Sequence, residues 1–253
     1  MQTSHSFNQK IAYWFLLLIP LVFFGFYPTY FSVLLEPAPF IVHLHFSFMA
    51  LWIVTLLVQP FLYRYKKMAL HRAIGKISYV LVPPLLVTAF FMIRFSYYRF
   101  LNDLEQQVAA GTVQMDHHQV LKDSATYQAI AFLYFGWLAS FYSLAVINRR
   151  RTFVHARYMI AAAFTMLGPT VDRIVFWIFK VPRLGGVIPI ECVSFLIADC
   201  ILAILLWNDY RNKKPLRPLF ISLVIFLGGQ ILYFLIKKTE LWQTVVIFLM
   251  QSR

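Results

Sequence analysis

Apolar blocks about the length of a membrane-spanning helix recur along this chain, and short basic segments separate many of them. A helix needs about 20 apolar residues to cross the hydrocarbon core of a bilayer. Only closed backbone hydrogen bonding survives there, so blocks of this kind fold as helices. Seven blocks are expected to span, at about 11–34, 40–63, 74–95, 125–147, 155–179, 188–207 and 217–236. The fold class read from this is all-α, a polytopic membrane helix bundle forming a single domain over 1–253. Composition agrees. Hydrophobic residues make up 60% of the 253, charged residues only 13%, and mean hydropathy is +0.68. A soluble domain carries about 25% charged residues.

The net charge is +13, from 23 Lys/Arg against 10 Asp/Glu. No nucleic-acid motif accompanies it, and the basic residues gather between apolar blocks. They therefore read as determinants of orientation and as contacts for anionic lipid headgroups, not for nucleic acid. Segment 64–76 holds five Lys/Arg, and 148–157 and 208–218 hold four each. The alternate segments 35–39, 96–124 and 180–187 hold none, two and two. The positive-inside rule then places the rich segments and the N terminus in the cytoplasm. A bacterial inner membrane is the expected location.

Prolines punctuate the blocks. Pro20 and Pro28 are expected to bend the first, Pro83-Pro84 to kink the third, and Pro169 to kink the fifth. The first block is too long for a signal-peptide core and is expected to be a retained helix. The segment 96–124 is expected to be an outer polar loop, with a short helix in it and His117-His118 solvated. The apolar part of the tail 239–253 is too short to span and is expected to lie on the surface. Cys192 and Cys200 are eight residues apart in one block, about 12 Å along a helix, so they are expected to be free thiols.

Ionisable residues near or inside the blocks are the candidates for function, because charge beside hydrocarbon is costly. His71-Arg72 and His155-Ala156-Arg157 each follow a basic run and open a long apolar block, and each block reaches a proline 12 to 14 residues past its histidine. This makes a faint internal repeat. Three readings stay open for these pairs: headgroup snorkelling, an anion site using Arg72 and Arg157, or a transition metal or haem iron bound by His71 and His155. Toward the other side lie His43, His45, Asp172, Arg173 and Glu191. His43 and His45 diverge by about 200° around a helix, so at most one faces a given pocket. Arg173 is expected to be buried and paired with Asp172, Glu191 or Asp199. Phosphate-binding glycine loops, His-Glu-x-x-His and Cys-x-x-Cys do not occur.

His43, Gln59-Pro60, Leu70-His71-Arg72-x-x-Gly75, and His155-x-Arg157-x-Met159 with Thr165 and Arg173 together resemble a family of bacterial membrane proteins, domain of unknown function 2306. The resemblance covers about 40–180. After the second histidine the basic-aromatic run usual in the family becomes Ala156-Arg157-Tyr158-Met159. The resemblance implies a membrane bundle and adds weight to the two His/Arg pairs. It implies no reaction. The expected function is binding of a small ligand or cofactor through buried His, Arg and acidic residues. The alternatives are a transporter, or an accessory subunit that meets a membrane-protein partner.

Overall fold

A computed structural model describes residues 12–181, 183–184 and 187–252. Among the described residues ten α-helices follow one another. They are α1 (Ala12–Phe26), α2 (Phe40–Arg64), α3 (Met68–Ala109), α4 (His117–Tyr127), α5 (Ala129–Ile147), α6 (Thr152–Phe164), α7 (Leu167–Arg173), α8 (Glu191–Arg211), α9 (Arg217–Ile236) and α10 (Glu240–Gln251). A two-stranded antiparallel ribbon, Arg183–Leu184 with Ile188–Pro189, is the sole sheet among the described residues. Among the described residues six helical stretches are long and apolar enough to cross a membrane: α2, α3, α4 with α5, α6 with α7, α8, and α9. The chain is an all-α, multi-pass membrane protein.

The first block differs from expectation. It yields only the short helix α1, followed by turns at 27–30 and a 3-10 turn at Phe31–Val33. The helix stops at Phe26, just before Tyr27-Pro28. α1 lies on α7. Gly25 makes this approach, since a Cβ there would lie 2.8 Å from the Thr170 carbonyl oxygen.

Three antiparallel hairpins build the body: α2 with α3, α5 with α6, and α8 with α9. Their turns are the three basic segments, and these share one end of the bundle. Arg157, near the start of α6, bonds Asp209, near the end of α8. Ser78 of α3 bonds Tyr142 of α5 at 2.9 Å, and Trp52 of α2 meets the same tyrosine ring edge-on. The span formed by α6 and α7 is the central one. Half of its apolar window is buried, against 17–33% in the other five. Many large apolar side chains elsewhere face outward, including Val80, Ile147, Ile204 and Leu235. Such a surface suits hydrocarbon, because lipid tails solvate it without a hydrophobic penalty.

The expected outer loop 96–124 is largely helical, which corrects the sequence reading. α3 continues through it to Ala109, a 42-residue helix about 63 Å long at 1.5 Å per residue. No glycine or proline interrupts 96–110, and Gly111, with φ +71°, ends the run. Asp116 then starts α4 by accepting the Gln119 backbone N–H at 2.7 Å. Many polar residues of this segment, such as Asn102, Asp103, Gln106 and Gln107, face solvent, while Tyr97, Leu101, Val120 and Ala125 form a second core with Val246 and Met250 of α10. The tail is thus a docked helix, tied down by Trp242 Nε1 to the Ala125 carbonyl and by Tyr98 to the Met250 carbonyl. In the third block, α3 is continuous across Pro83-Pro84.

Candidate functional site

The break between α6 and α7 organises the interior. Pro169 has no N–H to give the Thr165 carbonyl four residues earlier, and the helix is interrupted at Thr165–Met166. Hydroxyls satisfy the exposed carbonyls: Thr165 donates to Ala162 at 2.7 Å, and Thr170 donates to Met166 at 2.7 Å and Leu167 at 3.0 Å. In lipid such a break persists because polar side chains take over the freed groups. α7 then ends in a π-helical turn, Ile174–Ile178, directly after Asp172 and Arg173. Turns of that kind concentrate at functional sites.

Asp172 is drawn into a polar cluster by this distortion. Tyr134 of α5 donates to its Oδ2 at 2.6 Å, while Oδ1 is buried and makes no hydrogen bond among the described residues. The Tyr134 ring lies over Gly168, where a Cβ would fall 2.2 Å from the ring. Ser194 of α8 is close to Asp172 and Tyr134, although its hydroxyl donates to the Glu191 carbonyl at 2.9 Å. Glu191 lies within electrostatic reach of Asp172. Its Oε1 accepts from Tyr233 at 2.6 Å and from the Lys237 ammonium at 3.3 Å. About two turns further along α8, Asp199 accepts from Gln230 of α9 at 3.0 Å. Two carboxyls within one apolar shell, with one buried oxygen unclaimed, make a cluster suited to holding a proton or a cation.

Arg173 does not join this cluster, and the expected ion pair is not formed. No Asp or Glu oxygen among the described residues comes within 4 Å of it. Its guanidinium lies over the Phe26 ring of α1, 4.8 Å from the centroid. The π-helical turn follows Arg173, and adjacent residues on a helix point about 100° apart, so Asp172 and Arg173 face different neighbours.

The buried ion pair belongs to Arg157 instead. Nε and Nη2 each reach the Asp209 carboxylate at 2.7 Å, with Arg157 2% exposed and Asp209 fully buried. Phe153 covers the guanidinium, its ring centroid 4.5 Å away. An arginine held in this way is not available to an anion, which removes half of the expected Arg72–Arg157 anion site. Arg72 itself is exposed. Asp209 was missed from sequence, where it reads as one more polar residue in the last turn before a basic segment. The signal that would have found it is its position inside a span end, two residues short of Arg211.

His71 and His155 occupy equivalent places. Each is the fourth residue of its helix, and each backbone N–H bonds the carbonyl just before the helix, Lys67 or Arg151, at 2.9 Å. Each ring also reaches back across its hairpin: His155 Nδ1 donates to the Ala145 carbonyl at 2.8 Å, and His71 Nδ1 donates to Gln59 at 3.4 Å. Gln59 returns a bond to the His71 carbonyl at 3.1 Å. A carbonyl only accepts, so Nδ1 carries the proton and Nε2 of a neutral ring keeps its lone pair. The two histidines lie within electrostatic reach of one another at the basic end. Among the described residues no three His, Cys, Asp or Glu side chains gather into a metal site.

His43 and His45 are not brought together. His43 shares a hydrogen bond with Tyr30 at 3.2 Å, and His45 shares one with Thr88 of α3 at 3.1 Å. His117 lies at the exposed start of α4, 3.3 Å from Glu105. Both cysteines are free. No protein-family model, curated protein or solved structure matches this chain.

Proposed function

We propose that the chain is a transport protein of the bacterial inner membrane which binds a proton or a small monovalent cation at Asp172 and Glu191. One observation carries the reading: Asp172, at a broken and π-distorted stretch of the central span, has one oxygen held by Tyr134 and the other buried and unclaimed. Ionisable groups of this kind inside membrane helices mark ion paths and proton relays. Discontinuous helices at such sites are a recurrent transporter feature. In this reading the basic turns face the cytoplasm and anionic headgroups, and the kinship with the domain of unknown function 2306 family is part of the same proposal. The test is proton movement into liposomes carrying the purified protein and an internal pH dye. Asp172→Asn is expected to abolish the protein-dependent signal, and a signal equal to that of the unaltered protein would reject the reading.

A second reading is favoured by the histidine geometry. His71 and His155 both present Nε2 after giving Nδ1–H to a carbonyl, the arrangement in which histidine binds a metal. A transition metal or haem iron would take those two nitrogens. Optical and metal analysis of the purified protein tests this. Absence of both a Soret band and stoichiometric metal would set it aside.

A further inference from the structure

Lys237 is held in a way that describes a ligand. Its ammonium lies 3.3 Å from Glu191 Oε1 and 3.0 Å from the Tyr233 hydroxyl. It also sits over two aromatic faces, 4.1 Å from the Tyr233 ring centroid and 4.6 Å from that of Phe234. One carboxylate, one hydroxyl and two ring faces are what recognition of an organic cation requires. Lys237 is the residue that closes α9, so it reaches this place from the rim of the bundle.

Tyr233 has a second neighbour. It lines a groove of about 310 Å³ between α5, α9 and α10, a size within the range of small-molecule pockets. The groove is mainly apolar, and Phe132, Trp137 and Trp242 give it aromatic walls. Gly136 opens it, since a Cβ there would meet nothing within 4 Å. Gly229 keeps it shallow by letting Trp137 close in, 2.5 Å from where its Cβ would be. The wall lies largely within two of the candidate spans.

We propose that Glu191, Tyr233 and this groove form a binding site for lipophilic monovalent cations that arrive from the bilayer, with the Lys237 ammonium as its tethered, displaceable occupant. Charge complementarity selects the occupant: an aromatic-walled groove ends at a tyrosine bonded to a half-buried carboxylate. A neutral acyl chain would fill the groove and leave Glu191 to Lys237. A lipophilic cation satisfies both, with its apolar body in the groove and its charge beside Glu191. This names a substrate class for the transport reading above and rests on it.

The experiment is equilibrium binding of tetraphenylphosphonium to the full chain in lipid nanodiscs, with proton movement in liposomes measured on the same variants. The unaltered protein should bind saturably. Glu191→Gln should weaken binding at least about tenfold, since the site then lacks its charge. Lys237→Met removes the competitor and should tighten it. Gly136→Phe should block tetraphenylphosphonium and leave Asp172-dependent proton movement intact, because it fills open space away from the carboxyls. Binding that is absent, or unchanged in Gly136→Phe, overturns the inference, as does Lys237→Met that binds no tighter while remaining monodisperse. Proton movement that persists through such a failure sinks the cation site alone; its absence from the unaltered protein sinks the transport reading.

Discussion

Arg157 and Asp209 show what a buried charge costs and how the cost is met. Each is removed from water, and the two parallel hydrogen bonds satisfy both oxygens of the carboxylate. Removing one partner leaves an uncompensated charge. Arg157→Leu is therefore expected to destabilise the protein by about 3–5 kcal/mol, read as a lower melting temperature in detergent. The double variant Arg157→Met, Asp209→Leu should regain most of that loss, because an apolar pair carries no desolvation penalty. Arg173→Leu should cost less, since its partner is a ring and not a charge; a larger loss than Arg157→Leu would contradict the assignment. Arg157 was legible as a candidate from its place after His155, but its partner was not. They lie 52 residues apart, and no local pattern joins them.

The element that matters most is the interrupted helix of α6 and α7. Pro169 marks it in the sequence, and the break falls four residues earlier, as the lost hydrogen bond requires. What the break does is visible only in packing. Gly168 lets Tyr134 lie against α7, and this places the phenol on Asp172. Gly168→Ala is expected to push Tyr134 away and reduce Asp172-dependent proton movement to the level of Tyr134→Phe. The double variant should be no worse than either single, because both remove one contact. Additive losses would show that Gly168 acts elsewhere. The long helix α3 teaches the converse. Its polar far third, 96–109, looks like loop when hydropathy alone is used, because hydropathy reports the solvent and not the backbone. Residues that form helix well, such as Leu101, Leu104, Glu105 and Gln106, were the available signal.

For the whole molecule, three hairpins with basic turns imply one sidedness. Reporter fusions at Lys67, Arg150 and Lys213 should all report cytoplasm, and one at Gly111 should report the opposite side. A fusion at Lys213 reporting outside would break the hairpin of α8 with α9. Within the first expected span, 11–34, the described part carries the short α1 laid on α7, and six stretches among the described residues are long and apolar enough to cross.

The amino-acid sequence by itself determined the class of fold, the approximate place of the long helices, the basic end, and the parallel placing of His71 and His155. These are local properties: apolar run length, charge between runs, and spacing from a helix start. Only the tertiary structure decided which side chains meet. In a membrane protein the lipid-facing surface is as apolar as the core, so hydropathy does not mark the buried face. Asp209 beside Arg157, Tyr134 on Asp172, and Glu191 between Tyr233 and Lys237 all join separate helices. Those pairings follow from how the hairpins pack, because each buried charge must find its partner from whatever the neighbouring helix presents at the same depth.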